Sequence, residues 1–273
     1  MKIKLSNGLS VNQIALGTFR SKPDDAYSAV KYALKAGYRH IDTAAIYKNE
    51  KEVGKAVRDS GIQRKDIFVT TKIWNTEQGY ESTKLAFQKS LDELEFDYVD
   101  LILIHWPKTF EKTKETWRAL EEIYASGKAK SIGVSNFKIH DIMVLLETAK
   151  IIPAVNQVEC HVGLQNHRLK DYCDQFGILL EAYAPLMSHK IEDLLTNEIL
   201  IDIAKKHDVT VPQVAIKWIL QRGIIALPKS IHEDRIISNL ESQALQLDKQ
   251  DMQDIRKLNK GIRHFPDSDN IDF

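Results

Sequence analysis

A single α/β domain, a (β/α)8 TIM barrel with an N-terminal β-hairpin and a C-terminal helix and tail, is the fold that three observations predict. Eight short apolar runs alternate with stretches of helical period along the 273 residues. No G-x-G-x-x-G turn follows the early runs, where a doubly wound sheet would normally carry one. No linker, low-complexity tract or shorter repeat divides the chain, so residues 1–273 read as one domain.

The elements follow in order. KIKLSNGLSV (2–11) reads as a hairpin, and its Asn7-Gly8 suits a type I′ turn. The barrel runs are IALG (14–17), RHID (39–42), IFVTTK (67–72), VDLILIH (99–105), KSIGVS (130–135), AVNQVE (154–159), ILLEAY (178–183) and IIALP (224–228). Helical period fills 24–36, 49–59, 77–95, 112–126, 138–150, 165–175, 209–222 and 232–240. Asp24 and Glu77 stand near helix starts, where an acid meets unpaired N–H groups; Gly37 and Gly127 stand at ends that favour a left-handed residue. DKQDMQDIRKLN adds a helix before a polar tail.

Lys+Arg and Asp+Glu balance at 38 each, so no global charge steers the chain to nucleic acid or to a membrane surface. Cys160 and Cys173 have neither metal-ligand spacing nor a disulfide framework and suit a reduced interior. No apolar run reaches spanning length, and MKIKLSNGLS lacks the apolar centre of a signal peptide. These features predict a cytoplasmic protein.

In such barrels chemistry collects where strands end. The second run ends in Asp42, the third in Lys72 and the fourth in His105-Trp106; Tyr47 lies on the loop after Asp42. Taken singly, Asp42 reads as a turn cap, Lys72 as a solvated gatekeeper, His105 as a core histidine and Tyr47 as a packed ring. Together they make an acid. A phenol near pKa 10 donates poorly at neutral pH, and a neighbouring ammonium lowers that pKa. In this reading Asp42 holds Lys72, and His105 orients a carbonyl oxygen that becomes negative. No activated Ser or Cys is evident to attack the carbonyl carbon, and a nucleotide-borne hydride supplies what is missing. ALPKSIHEDRIISN places Lys229, Ser230, Arg235 and Asn239 after the eighth run, where such barrels often bind phosphate. Arg suits phosphate by its fork and Lys as a point charge; a solvated basic loop is an equal reading of that stretch alone.

The stretches GYRHIDTAAIYKNEKEVG, TTKIW, DLILIHWP, IGVSNF, NQVECH and LPKS, followed by Arg235 and Asn239, together resemble the aldo-keto reductases, in their microbial form, over nearly the whole chain. The resemblance is similar in kind to the 2,5-diketogluconic acid and glyoxal or methylglyoxal reductases. It implies a monomeric (β/α)8 enzyme reducing small carbonyl compounds with NADPH and no metal. It implies Tyr47 as general acid, supported by Asp42, Lys72 and His105. Ser135, Asn136 and Gln157 match positions that hold the nicotinamide carboxamide, and Tyr183 the ring stacked on it. Leu186 lies in the loop over the pyrophosphate. Lys229, Ser230 and Arg235 match the 2′-phosphate clamp, with Asn239 near the adenine. Phe19, Trp74 and Trp106 match the substrate pocket. The chain departs from the pattern at Val162, at the loop APLMSHK and at Lys48, which follows Tyr47 and is expected to alter the substrate pocket.

Two rival chemistries draw on the same strand ends. A glycosidase needs paired carboxylates, for which Glu159 and Glu181 are available. A metal-dependent hydrolase would recruit His40, Asp42, His105 and His161, of which His40 and Asp42 share a strand face. The glycosidase leaves Lys72, Tyr47 and LPKS without a role, and for the hydrolase no bridging lysine or carboxylate with a further histidine is evident. A cofactor-sensing subunit is the non-enzymatic alternative.

Overall fold

The computed structural model describes residues 1–271; the last two residues of the predicted tail, 272 and 273, lie outside the described residues. An antiparallel hairpin, β1 (Lys2–Lys4) and β2 (Ser10–Asn12), precedes eight parallel strands. These are β3 (Leu16–Gly17), β4 (His40–Asp42), β5 (Phe68–Ile73), β6 (Leu101–Ile104), β7 (Ile132–Ser135), β8 (Val155–Glu159), β9 (Leu179–Tyr183) and β10 (Ile225–Leu227). They lie side by side in chain order. The sheet closes on itself: Ala15 N donates to Ala226 O (2.9 Å), Ala226 N to Gln13 O (2.8 Å) and Gly17 N to Pro228 O (3.1 Å). Closure leaves no barrel edge with unpaired backbone.

The hairpin turn differs from the type I′ expectation. That turn needs positive φ at both central residues, and Gly8 (87°) has it while Asn7 does not. Leu5 O accepts from Gly8 N (2.9 Å), and Leu5 N donates to Leu9 O (2.8 Å). The loop is therefore three residues long with glycine at the left-handed position. Asn7 acts as an anchor instead, donating through Nδ2 to Lys130 O (2.9 Å) and Ser131 Oγ (2.8 Å). The hairpin thus lies across the barrel floor, where Leu5 and Val11 bury against Phe68, Leu101, Leu103, Val155 and Ile225.

Around the barrel run α1 (Pro23–Ala36), α2 (Glu50–Arg58), α3 (Tyr80–Leu94), α4 (Phe110–Ala125), α5 (Ile139–Leu146), α6 (His167–Gln175), α7 (Ile191–Leu195), α8 (Glu198–His207), α9 (Val211–Gln221), α10 (Glu233–Glu241) and α11 (Lys249–Arg256). Helices α7 and α8 were absent from the expected set. Thr196-Asn197 cuts the apolar period of that stretch into pieces too short to stand out in sequence. Asn197 then caps α8 by accepting from Leu200 N, and Leu194, Leu200 and Ile203 bury in the core. Helix α3 starts three residues later than the period suggested, because Gly79 (φ 126°) separates it from a 3-10 turn at Asn75–Glu77. Glu77 therefore does not open α3, whereas Asp24 does lie in the first turn of α1 and Gly37 (113°) ends it.

Helix α2 depends on close approach. A Cβ on Gly54 would lie 2.1 Å from Leu94 O at the end of α3. Gly54→Ala is therefore expected to cost about 1–3 kcal/mol by overpacking. Urea unfolding at unchanged m-value measures it, and an unshifted midpoint would show that the two helices are not held this tightly.

Candidate active site

Because the strands are parallel, their C-terminal ends share one rim. There a cleft of about 610 Å³ opens, and its floor carries Asp42, Tyr47, His105, Ser135 and Gln157. Lys72 lies beneath that floor, with a side chain 0% exposed. Its ammonium donates to Asp42 Oδ1 (2.7 Å), Asp42 Oδ2 (2.8 Å) and Thr43 O (2.9 Å). All three ammonium hydrogens thus have acceptors, and the buried charge is matched by a carboxylate, as burial requires. A short 3-10 turn at Ala45–Tyr47 then returns the chain over this pair. Lys72 Nζ faces the Tyr47 ring at 5.2 Å from its centre. The His105 ring stands edge-on to Tyr47 (5.7 Å) and to Trp74 (5.1 Å).

The electrostatics correct one expectation. Lys72 was expected to lower the Tyr47 pKa. Burial and the Asp42 carboxylate instead hold the phenol well above its ordinary value of 10.0. The reason is the pairing just described: the ammonium is compensated by Asp42 and sits against the ring face. The phenol is therefore protonated at neutral pH. Burial, with Lys72 adding to it, keeps His105 well below 6.5, so its imidazole is neutral. Its Nδ1 is enclosed without a hydrogen-bond partner among the described residues.

Around this floor, Asn136 takes a left-handed backbone (φ 63°). Its Nδ2 donates to His105 O (2.9 Å) and Ser135 Oγ (3.1 Å), and its Oδ1 accepts from Tyr183 OH (2.8 Å). One amide thereby ties the ends of β6, β7 and β9 together. Gln157 Nε2 donates to Asp42 Oδ2 (2.8 Å) and Glu181 Oε2 (2.8 Å). Phe19, Trp74, Trp106, Leu186 and Lys229 also line the cleft. Ser230, Arg235 and Asn239 do not. Ser230 Oγ accepts from His232 N (3.1 Å) just before α10, Arg235 is exposed in the first turn of α10, and Asn239 is buried one turn later. Lys48 lines a separate groove with Lys51 and Glu93, not the cleft.

Several cleft residues were not singled out from sequence. Arg20 and Ser188 line it, both with left-handed backbone. The loop after β9 folds inward through three such residues, Ala184, Met187 and Ser188, with Met187 N donating to Ala184 O (2.9 Å). Phe265 comes from the tail and meets Tyr183 (5.4 Å) and Phe19 (6.3 Å). Its anchor is Glu159, whose carboxylate accepts from His264 N (2.7 Å), Phe265 N (3.2 Å) and His161 Nε2 (3.1 Å). Glu159 is thus occupied in holding the tail, and Glu181 lies inside the barrel; both are 0% exposed, which disfavours the glycosidase pairing. His40 is likewise enclosed, its Nδ1 facing Asn12 O (3.2 Å). No group of three or more metal-ligating side chains among the described residues is arranged to hold an ion.

Asp42→Asn would leave the Lys72 ammonium buried without its counter-charge, and is expected to cost about 3–5 kcal/mol of stability. Asp42→Asn with Lys72→Met should recover part of that loss. Equal destabilisation in the double variant would mean that the ammonium is not what the carboxylate holds. Glu181 gives a pH test. Burial and Asp42 raise its pKa from 4.5 to about 8. Between those values the unfolded chain has released a proton that the folded chain keeps, so this group makes stability fall as pH rises from 4.5 to about 8. Glu181→Gln should remove that slope, and an unaltered stability profile would contradict the assignment.

The profile of the Aldo/keto reductase family matches residues 12–260. The glyoxal reductase of Bacillus subtilis (strain 168) is 49% identical over 272 residues, covering 99% of this chain and 97% of that protein. The 9,11-endoperoxide prostaglandin H2 reductase of Trypanosoma cruzi (strain CL Brener) is 43% identical, covering 98% and 95%. Among solved structures, MGS-M4, an aldo-keto reductase enzyme from a Medee basin deep-sea metagenome library, superposes with a TM-score of 0.98 at 56% identity over 100% of both chains. On this agreement of profile, relatives and barrel architecture, the chain belongs to the aldo/keto reductase family of oxidoreductases.

Proposed function

We propose that the protein reduces aldehydes and ketones to alcohols with NADPH, and that Tyr47 is the general acid. The observation that carries this is the enclosed Lys72–Asp42 pair beneath a phenol that opens, beside a neutral imidazole, into a cleft. The residues present suit the dinucleotide. Neither Lys229 nor Arg235 has a carboxylate at ion-pair distance among the described residues, which leaves both cations for a phosphate. Gln157 has both amide hydrogens committed and one acceptor remaining, as a carboxamide requires. Tyr183 is held by its hydroxyl, so its ring is a fixed platform. In this reading Ser135, Asn136 and Gln157 hold the nicotinamide, Tyr183 and Leu186 cover it, and Lys229, Ser230, Arg235 and Asn239 hold the adenosine 2′-phosphate end.

When bound, NADPH supplies a hydride to the carbonyl carbon. The carbonyl π pair moves onto oxygen, and the Tyr47 hydroxyl gives that oxygen its proton. A phenol held above pKa 10.0 keeps its proton until an alkoxide, a stronger base, develops beside it. The Lys72 ammonium then faces the tyrosinate left behind, while Asp42 holds the ammonium in place. His105, neutral, donates a hydrogen bond that orients the carbonyl oxygen. Phe19, Trp74 and Trp106 provide an apolar wall for a small carbonyl substrate. Two buried free cysteines suit a reduced, cytoplasmic setting, and the family tendency points to a monomer; no helix among the described residues is long and apolar enough to cross a membrane.

Cofactor oxidation followed with NADPH and NADH in parallel, against methylglyoxal, an aromatic aldehyde and a keto-sugar acid, with and without chelator, tests the reading. NADPH-selective turnover insensitive to chelator is expected. Absence of cofactor binding would sink it, and tight binding without turnover would favour a sensing subunit. Tyr47→Phe should lower turnover by about 10²–10⁴-fold while NADPH still binds. Arg235→Ala should weaken NADPH by roughly tenfold or more and NADH little. Equal weakening of the two would show that Arg235 does not read the 2′-phosphate.

A further inference from the structure

Glu181 lies outside the proposed catalytic set, yet it touches it. It stands two positions before Tyr183 on the inward face of β9 and pairs in register with Gln157 of β8. Its Oε2 accepts from Gln157 Nε2 (2.8 Å), and that same nitrogen donates to Asp42 Oδ2 (2.8 Å). The two amide hydrogens are thus committed to two carboxyl groups, which fixes the way the amide is turned. Its carbonyl oxygen is the remaining acceptor, on a residue that lines the cleft.

The other oxygen of Glu181, Oε1, is enclosed without a hydrogen-bond partner among the described residues, 4.0 Å from His40 Nε2. His40 Nδ1 faces the Asn12 carbonyl (3.2 Å), which only accepts. Nδ1 therefore carries the ring proton and Nε2 is a lone pair, which the Thr70 hydroxyl also faces (3.3 Å). A protonated Glu181 adds no charge to this enclosure; an ionised one sets a second carboxylate beside Asp42 with no cation of its own. The surroundings offer only partial relief: Gln157 of β8 donates one hydrogen bond and Lys72 of β5, already paired with Asp42, attracts the charge, but burial and Asp42 of β4 outweigh both, His40 is neutral and Ile225 of β10 is apolar. Burial and Asp42 put the Glu181 pKa at about 8, so the change of charge falls just above neutrality.

We propose that Glu181 is a positioning residue that acts on the nicotinamide through Gln157, and that its charge sets the balance between oxidised and reduced cofactor. Protonated, it holds Gln157 with the carbonyl presented to the cleft. Ionised, it adds a negative charge beneath the site, which favours the cationic oxidised ring over the neutral reduced one. The inference rests on the nicotinamide reading above.

The test is binding without turnover. Dissociation constants for NADP+ and NADPH are measured by quenching of protein fluorescence from about pH 6 to about pH 9.5, across the range in which Glu181 titrates. Their ratio cancels the adenosine phosphate, which both forms share. For the wild type, Kd(NADP+)/Kd(NADPH) should fall by roughly three- to tenfold through a transition near pH 8, and for Glu181→Gln it should stay within about twofold of its acid value. A flat wild-type ratio, or the same transition in Glu181→Gln, overturns the proposal. Failure of the wild type to bind either form overturns the functional reading instead. Should Glu181→Gln not fold, calorimetry of NADP+ binding to Tyr47→Phe near pH 8, in two buffers of different ionisation enthalpy, decides the matter. Release of a proton is expected, and none released overturns the proposal.

Discussion

The Lys72–Asp42 pair is the constraint around which the rim is organised. An ammonium with a side chain 0% exposed persists only if every hydrogen finds an acceptor and its charge finds a counter-charge. Asp42 and Thr43 meet both demands from the neighbouring strand. That requirement fixes the register of β4 against β5, which pairs Asp42 with Thr70 and leaves Lys72 beyond it. It also fixes the start of the loop that carries Tyr47. Asp42 is then shared with Gln157 and so reaches β8 and, through Glu181, β9. One ion pair thereby links four strands at the level of the cleft.

A second network lies above it. Asn136 joins His105, Ser135 and Tyr183 through its amide, while its backbone takes a conformation that few residues other than glycine and asparagine accept readily. The tail is fixed by Glu159, whose carboxylate receives two backbone N–H groups from residues more than a hundred positions later. These polar groups are satisfied within the barrel, whose apolar layer between strands and helices supplies the stability. Glu181 and His105 are among the exceptions, Oε1 of the one and Nδ1 of the other lacking a partner among the described residues. A buried group left in that state marks a place where the molecule accepts a stability cost.

How much was legible from the sequence follows from the range of each interaction. The strand runs are short, apolar and buried, so period and spacing located them, and in a parallel barrel the strand ends alone place Asp42, Lys72 and His105 on one rim. Helices α7 and α8 were hidden because two short segments leave little period to read. The hairpin turn is not settled by its sequence because Asn7-Gly8 admits two loop forms, and a distant contact of Asn7 with Lys130 and Ser131 accompanies the one adopted. Phe265 was invisible among polar tail residues, since its place over Tyr183 depends on Glu159.

By itself, then, the sequence determined the barrel, the order of its strands and the residue types delivered to the rim, because these depend on local period and on one topological rule. Tertiary structure alone decided their electrical state. Whether Lys72 lowers the Tyr47 pKa, or is silenced by Asp42, depends on distances of 2.7 and 2.8 Å between residues thirty positions apart. Whether Glu181 carries a charge depends on what encloses it from β4, β5, β8 and β10. Charge in a low-dielectric interior is governed by neighbours brought together through folding, and a linear pattern of residues does not contain those distances.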